Sequence, residues 1–250
     1  MVHIAITGAS GLIGSHAMQY ILSQGHTVTA IDIAPLPTNI CLAEGSIYCQ
    51  ADCTDFKAVE AALRRKPCDG VIHLSAIPNP RTGSDARTTH NVNVVASYNV
   101  MRTAADLGIK RIVNASSINA VGLLYTADSR RILDELPLTE ETPRKPEDPY
   151  NPDAASRACL LGVIANESSF ISGHEAFFIL CDDLVFGKEC KEIEEGFYDE
   201  AIKNGMDPDT VTAEELVRLY YPGTKLREGW WSSSNPRRSL YDTSKAQKML

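Results

Sequence analysis

Three features that this sequence lacks narrow the classes of protein to which it can belong. No apolar run approaches the ~20 residues that a membrane-spanning helix requires, so we expect no membrane partner. Basic residues number 24 against 32 acidic ones, and the net charge of −8 disfavours nucleic-acid binding, which needs clustered Lys and Arg. The N-terminus lacks the basic and apolar segments of a secretory signal. These absences predict a soluble, cytoplasmic protein whose partner is a small molecule.

Cysteine usage disfavours both disulfides and metal binding. The seven cysteines form no C-x-x-C pair, and no His or Cys flanks Cys49 and Cys53 at zinc-site spacing. An odd number of thiols suits a reducing compartment. We therefore expect small buried thiols and no metal site.

Strand and helix patterns alternate along the first half of the chain. Short apolar strands separated by helices indicate βαβ units and a parallel sheet. The sequence therefore predicts an α/β fold with a doubly wound parallel sheet. The predicted strands are 2–7, 27–31, 46–50, 71–74 and 111–114, and the predicted helices are 12–22, 54–65 and 89–107.

The second half is less regular and predicts a small C-terminal lobe. Residues 134–153 contain five prolines and many acidic residues, which is typical of a loop. We expect one domain over residues 1–150 and a remnant substrate lobe over residues 151–250. Predicted elements in this half are helices at 153–168, 189–204, 213–220 and from Thr243, and a strand at 176–180.

A glycine-rich turn between the first strand and the first helix predicts a phosphate site. Residues 7–14 read Thr-Gly-Ala-Ser-Gly-Leu-Ile-Gly. A pyrophosphate needs close approach of the backbone and the N–H groups of a helix N-terminus, and glycine permits both. The glycine spacing alone is weak, and a simple tight turn is the alternative. Its position between strand and helix makes it specific for a Rossmann-type dinucleotide site.

Two acidic residues indicate how such a dinucleotide would be held. Asp32 ends the second predicted strand, where a carboxylate can accept from both adenosine ribose hydroxyls and would repel a 2′-phosphate. No Lys or Arg precedes Lys57 to neutralise that phosphate, so we expect NAD rather than NADP. Asp52, after the third strand, could accept from the adenine amino group or could be the N-cap of the next helix, near Thr54.

Over residues 3–117 the ordered motifs resemble the NAD-dependent epimerase/dehydratase family, the extended short-chain dehydrogenases. The motifs are the glycine turn, Asp32, Ala51-Asp52 and residues 73–76, 93–96 and 115–117. The resemblance implies that residues 74–76 line the ribose and phosphates of NAD, and that Asn93 stabilises the helix beside the active site. The predicted cofactor-binding residues are Gly8, Ser10, Gly11, Leu12, Ile13, Gly14, Asp32, Asp52, Cys53, Leu74, Ser75, Ala76, Asn93 and Ser116.

The resemblance also implies the catalytic residues. Ser117, a better match than Ser116, would hydrogen-bond the substrate oxygen, and the hydroxyl of Tyr150 would act as the general acid or base. Either serine could instead cap local backbone. His73 lies among apolar strand residues, so we interpret it as a core histidine rather than a catalyst.

The sequence departs from the family pattern after Tyr150. The family's lysine four residues later is replaced by Ala154, and without that cation a tyrosine keeps a pKa near ~10 and is a poor base at neutral pH. A literal Tyr-x-x-x-Lys, Tyr241 to Lys245, resembles the family's C-terminal D-x-S-K-A segment, which lies far from the nicotinamide.

Residues 153–158 resemble a helix that comes much later in the family, and the chain stops at Leu250, where the family continues with Gly-Trp. We therefore expect that an internal segment is missing at Asn151-Pro152, whether naturally, by alternative splicing or through gene misprediction. The alternative is a divergent lobe in which Tyr150 lies in an ordinary loop.

These observations predict an NAD-dependent oxidoreductase or epimerase that acts on a secondary alcohol. The substrate would be a sugar nucleotide or another polyol-like or secondary-metabolite compound. The alternative is a catalytically impaired NAD-binding protein that lacks the lysine. The resemblance also implies that a homodimer could form through the helix carrying Asn93. Arg81, Arg237 and Arg238 could meet an anionic substrate or lie in solvated loops.

Overall fold

The computed structural model divides the chain into two compact units, which we describe separately. The first comprises Met1–Ser117, Pro149–Glu175 and Met249–Leu250, and the second comprises Ile118–Asp148 and Ala176–Lys248. The predicted boundary between residues 150 and 151 lies outside the described residues. Those described are 1–77, 86–116, 134–142, 162–165, 176–177, 203–207, 210–232, 234 and 238–249.

A five-stranded parallel sheet forms the centre of the first unit. Its strand order is β3-β2-β1-β4-β5, so the chain winds outward in one direction from β1 and then returns to build the other side from β4. This doubly wound order confirms the predicted α/β fold, with its topological switch point between β1 and β4. The strands are β1 (His3–Thr7), β2 (Thr27–Asp32), β3 (Ile47–Gln50), β4 (Gly70–His73) and β5 (Ile112–Asn114).

Among the helices in the described part of the first unit, three cover the two faces of this sheet: α1 (Leu12–Ser23), α2 (Phe56–Arg64) and α3 (Ala86–Asp106). Side chains alternate across a strand, so Ile4 and Ile6 of β1 pack on one face with α1, and Ala5 packs on the other with α2 and α3. Every residue of β1 is buried, as expected of a central parallel strand.

The second unit has its own apolar core. Strand β6 (Glu135–Leu136) pairs in parallel with β7 (Lys225–Leu226), and the helices are α4 (Ala213–Tyr220) and α5 (Ser244–Met249). A capping box joins Thr212 to Glu215 at the start of α4. The core residues are Leu136, Leu138, Ala213, Val217, Trp230, Trp231 and Tyr241.

Two of the predicted elements in the second half match observed helices. The predicted helix at 213–220 is α4, and the helix predicted from Thr243 begins one residue later as α5. Most of the residues predicted as helices at 153–168 and 189–204, and as a strand at 176–180, lie outside those that the structure describes. Arg238 lies with its guanidinium carbon 3.6 Å from the centroid of the buried Trp230 ring, so it packs on the core of this unit.

In the described part of the chain, no helix combines the length and the apolar character needed to cross a bilayer.

Candidate functional site

The glycine turn packs directly on the carboxyl end of β4. Gly8 has a φ of +68°, the left-handed region that favours glycine. A Cβ added there would lie 2.8 Å from both the Leu74 carbonyl carbon and the Ser75 nitrogen. Only a residue without a side chain therefore brings the turn this close to residues 74–75.

Gly14 allows α1 to begin immediately against the same turn. A Cβ at Gly14 would lie 1.9 Å from the carbonyl oxygen of Gly8, a distance that no side chain can occupy. Gly11 is the N-cap of α1, and no side chain caps this end, nor does an acidic residue occupy its first turn. The helix start, with Leu12 and Ile13, therefore keeps the partial positive charge that attracts a phosphate.

Asp32 faces this turn from the end of β2. Its carboxylate is buried and accepts from the Ser10 N–H at 2.8 Å and from the Ala34 N–H at 2.9 Å, one bond to each oxygen. The Ser10 hydroxyl donates to the Pro35 carbonyl at 3.0 Å. Because each carboxylate oxygen has two acceptor positions, both oxygens can accept one further hydrogen bond.

The turn between β3 and α2 excludes one of the two roles considered for Asp52, that of the helix N-cap. The N-cap of α2 is Asp55, whose carboxylate accepts from the Lys57 and Ala58 N–H groups at 2.9 and 3.2 Å. Interpretation of Asp52 as the cap is therefore wrong: it accepts from the N–H and the hydroxyl of Thr54, both at 2.8 Å, and closes the turn before the helix. A contact between Asp52 and adenine stays a prediction.

Cys53 lies beside this turn as a buried thiol. Burial raises the pKa of the Cys53 thiol, so it is protonated at neutral pH. Its carbonyl and that of Thr54 accept from the Asn99 side-chain amide of α3 at 3.0 and 2.9 Å.

Asn93 of α3 holds the loop that follows β4. Its side-chain oxygen accepts from the Ile77 N–H at 2.8 Å, and its amide donates to the Ile77 carbonyl at 3.1 Å. This pair of hydrogen bonds fixes Ile77, at the end of the segment of residues 74–76. The structure thus gives Asn93 a specific task, that of tying α3 to the loop.

His73 joins β4 to β1 and α3 from within the core. Its Nδ1 lies 2.6 Å from the Thr7 hydroxyl, and its Nε2 lies 3.2 Å from the Ser97 hydroxyl. Burial lowers the pKa of His73 to about 4, so the ring is neutral at pH 7. The interpretation of His73 as a core histidine is confirmed.

Thr7 lies in the candidate site, although its position in the sequence did not predict a role for it. Its hydroxyl also accepts from the Leu74 and Ser75 N–H groups at 3.3 and 3.4 Å. A polar residue at the last position of an otherwise apolar buried strand is the signal that could have identified it.

The two predicted catalytic residues, Ser117 and Tyr150, lie outside the described residues, as does Ala154. Ser116 is described and is exposed just after β5. On α3, Val94, Tyr98 and Met101 are exposed apolar residues of the helix through which the resemblance implies a dimer. Among the described residues, no three His, Cys, Asp or Glu side chains come together as metal ligands.

The strand order, the glycine turn and the carboxylate at the end of β2 define a Rossmann-type dinucleotide-binding unit. The model of the NAD dependent epimerase/dehydratase family matches residues 4–161, more than half of the chain. The chain belongs to this family, and the residues present suit NAD. The turn leaves no space for a Cβ at Gly8 or Gly14, and Asp32 places a carboxylate beside it.

Two curated relatives illustrate the breadth of this family. Cinnamoyl-CoA reductase 1 of Arabidopsis thaliana is 32% identical over 139 residues, 53% of this chain and 39% of the relative. UDP-glucose 4-epimerase of Lactobacillus helveticus is 26% identical over 148 residues, 59% of this chain and 42% of the relative. The match thus covers about two fifths of these relatives' length.

A solved structure of similar fold is the UDP-glucose 4-epimerase of Thermus thermophilus in complex with NAD. It is 24% identical and has a TM-score of 0.47, and the match covers 62% of this chain and 47% of that chain.

Proposed function

We propose that this protein is an NAD-dependent oxidoreductase or epimerase that acts on a secondary alcohol. The substrate would be a sugar nucleotide or another polyol-like or secondary-metabolite compound. The observation that carries the proposal is the placement of the Asp32 carboxylate, by the Ser10 N–H, against the glycine turn at the carboxyl ends of the strands. Ligands of open α/β sheets bind at that edge, beside the switch point.

Each part of the turn would hold a different part of the cofactor. The uncapped start of α1 at Gly11 would bind the pyrophosphate, because its N–H groups and helix dipole favour an anion. Asp32 would accept from the adenosine ribose hydroxyls. Leu74, Ser75 and Ala76 would line the next ribose and the phosphates, held in place by Asn93.

Ser117 and Tyr150 would carry the proton chemistry, and their assignment rests on the sequence alone. Bound NAD supplies a hydride acceptor for the carbinol carbon. The Tyr150 side chain, as its phenolate, would take the proton of the substrate alcohol, and Ser117 would hold the same oxygen by a hydrogen bond. The sugar-nucleotide class is supported by the relative UDP-glucose 4-epimerase, whereas the relative cinnamoyl-CoA reductase 1 acts on a different class of substrate.

Cofactor binding is the first test. We expect titration with NADH, followed by fluorescence, to give saturable binding that Asp32→Asn weakens about tenfold or more, because it replaces a charged acceptor of ribose hydroxyls. Asp106→Asn, at an exposed position of α3, is the matched control and should bind NADH like the wild type. Equal affinity in Asp32→Asn and wild type would contradict the assignment of Asp32.

Turnover is the second test, and it needs two readouts. A panel of UDP-sugars and other polyols is incubated with NAD, and both reduced nicotinamide and epimerised sugar are measured, because an epimerase produces no net reduction. We expect product with at least one substrate and its loss in Tyr150→Phe. A protein that binds NADH and converts no member of the panel would contradict the enzymatic proposal.

A further inference from the structure

The segment at the end of β2 is held by one side chain of the predicted site, Ser10, and by two from outside it, Tyr48 and Gln50. We call residues 32–35 the β2 loop; its residues 33–35 are exposed. Each of its four carbonyl groups lies within hydrogen-bond distance of a side-chain donor. Ser10 bonds Pro35, Gln50 of β3 bonds Ile33, and the Tyr48 hydroxyl of β3 lies between the carbonyls of Ala34 and Asp32, the latter also accepting from the Ala51 N–H at 2.8 Å.

Tyr48 and Gln50 reach the β2 loop from the edge of the sheet. They are two positions apart on β3, so they lie on the same face of that strand. The Tyr48 hydroxyl donates to the Ala34 carbonyl, and the Asp32 carbonyl, at 3.3 Å, shares the same proton as a second, weaker acceptor. The Gln50 amide donates to the Ile33 carbonyl at 2.9 Å. Together they bond three consecutive peptide groups of the loop.

The direction of these bonds determines what the loop can offer a ligand. With its carbonyls bonded to Tyr48 and Gln50, the loop keeps the Ala34 N–H on the Asp32 carboxylate. A 2′-phosphate needs N–H donors or a cation in this place, whereas a ribose hydroxyl needs an acceptor. Burial and the nearby Asp32 charge raise the pKa of Tyr48, so its hydroxyl stays a donor.

We propose that Tyr48 and Gln50 are positioning residues that make the site selective for NAD over NADP. By fixing the β2 loop they hold Asp32 as an acceptor for the ribose hydroxyls and keep the loop N–H groups from turning toward a 2′-phosphate. The inference rests on the proposed cofactor function, which it extends to two residues outside the predicted cofactor-binding set.

The test compares NADH and NADPH affinities in matched variants. Tyr48→Phe and Gln50→Met each remove a donor while keeping the size of the side chain, and Gln50 is exposed, so folding should be retained. The controls are Tyr20→Phe and Gln19→Met on α1, which make the same chemical changes elsewhere in the first unit. Dissociation constants for both cofactors are measured by calorimetry, together with the thermal midpoint of unfolding.

We expect the wild type and both controls to bind NADH far more tightly than NADPH. Each β3 variant should narrow this ratio about fivefold, and the double variant by more than tenfold, mainly through weaker NADH binding. An unchanged ratio, or equal weakening of both cofactors, would overturn this inference and leave the proposed function intact. Failure of the wild type to bind either cofactor would overturn both.

Discussion

The close contact between Gly14 and Gly8 predicts that one methyl group added at Gly14 weakens both the stability of the protein and its binding of the cofactor. Because a Cβ at Gly14 would meet the Gly8 carbonyl at 1.9 Å, Gly14→Ala must displace α1 from the turn. We expect a loss of roughly 1–3 kcal/mol in the free energy of unfolding, as for other overpacked sites, together with loss of NADH binding.

Gly25→Ala is the matched control for this substitution. Gly25 has a φ of +76° and no atom within 4 Å of an added Cβ, so its cost is the left-handed backbone alone, roughly 1–2 kcal/mol. Urea unfolding and NADH titration of both variants measure the two effects. Retained NADH binding in Gly14→Ala, at a stability similar to that of Gly25→Ala, would contradict the role of the close approach.

His73 predicts a particular dependence of stability on pH. Its folded pKa of about 4 lies below the ordinary histidine pKa of 6.5, so between these values the unfolded chain binds more protons than the folded one. Stability is therefore fully present above pH 6.5 and falls as the pH drops toward 4, by about 3 kcal/mol if His73 acts alone.

Urea unfolding of wild type and His73→Gln from pH 4 to pH 8 measures this contribution. Glutamine at position 73 has no titratable group, so we expect the stability of the variant to fall less steeply than that of the wild type below pH 6.5, with parallel curves above it. His3, whose pKa burial also lowers, remains in both proteins and cancels from the comparison. Identical slopes over the acidic range would show that His73 is not the group concerned.

At the level of elements, α3 connects the loops on both sides of the site. Asn93 bonds the loop after β4, and Asn99 bonds the turn after β3, so one helix fixes two of the segments predicted to line the cofactor. This gives the helix a structural task in addition to covering one face of the sheet with residues such as Val100.

Removal of the Asn99 amide should destabilise the first unit. Asn99 is buried, and Asn99→Ala would leave the Cys53 and Thr54 carbonyls without this donor, at a cost of about 1–3 kcal/mol. Asn91→Ala, at an exposed position of α3, serves as the control and should change stability little. Equal midpoints of thermal unfolding for the two variants would contradict this role of Asn99.

The strands and helices of the first unit could be predicted because their signals are local. Alternating apolar strands and helices predicted the strand positions to within a residue or two, and the glycine turn indicated where the candidate site lies. The sequence could not show that Asp55 rather than Asp52 is the helix cap, because the carboxylate of each accepts a hydrogen bond from the N–H group two residues later. It depends on where the backbone enters the helix.

The bonds that hold the site could not be predicted either, because they join residues far apart in the chain. The Asn99 amide bonds carbonyls of residues 53 and 54, and His73 bonds Thr7, and only the packing of α3 and β4 on the sheet brings these groups together. No periodicity within one element specifies such pairs.

At the scale of the whole molecule, the chain matches only part of the length of its relatives. The curated relatives are matched over about two fifths of their own length, and the family match ends at residue 161. Tyr150 is followed by Ala154 where the resemblance implies a lysine, so the cation that would lower the tyrosine pKa is missing from the expected position. Beside the alternative of a divergent lobe, we propose that an internal segment is missing after Tyr150, because the glycine turn is complete while the lysine is absent from the expected position.

This interpretation predicts a longer transcript. Reverse transcription and sequencing across the codons for Tyr150-Asn151-Pro152 should detect messages with an insertion at this point that encodes a lysine four residues after Tyr150. A protein made from such a message should carry out the proposed reaction at neutral pH faster than the present chain, because the lysine charge favours the tyrosinate. If every transcript joins Tyr150 directly to Asn151, the segment is absent from the gene product, and the lobe after Tyr150 is a divergent one.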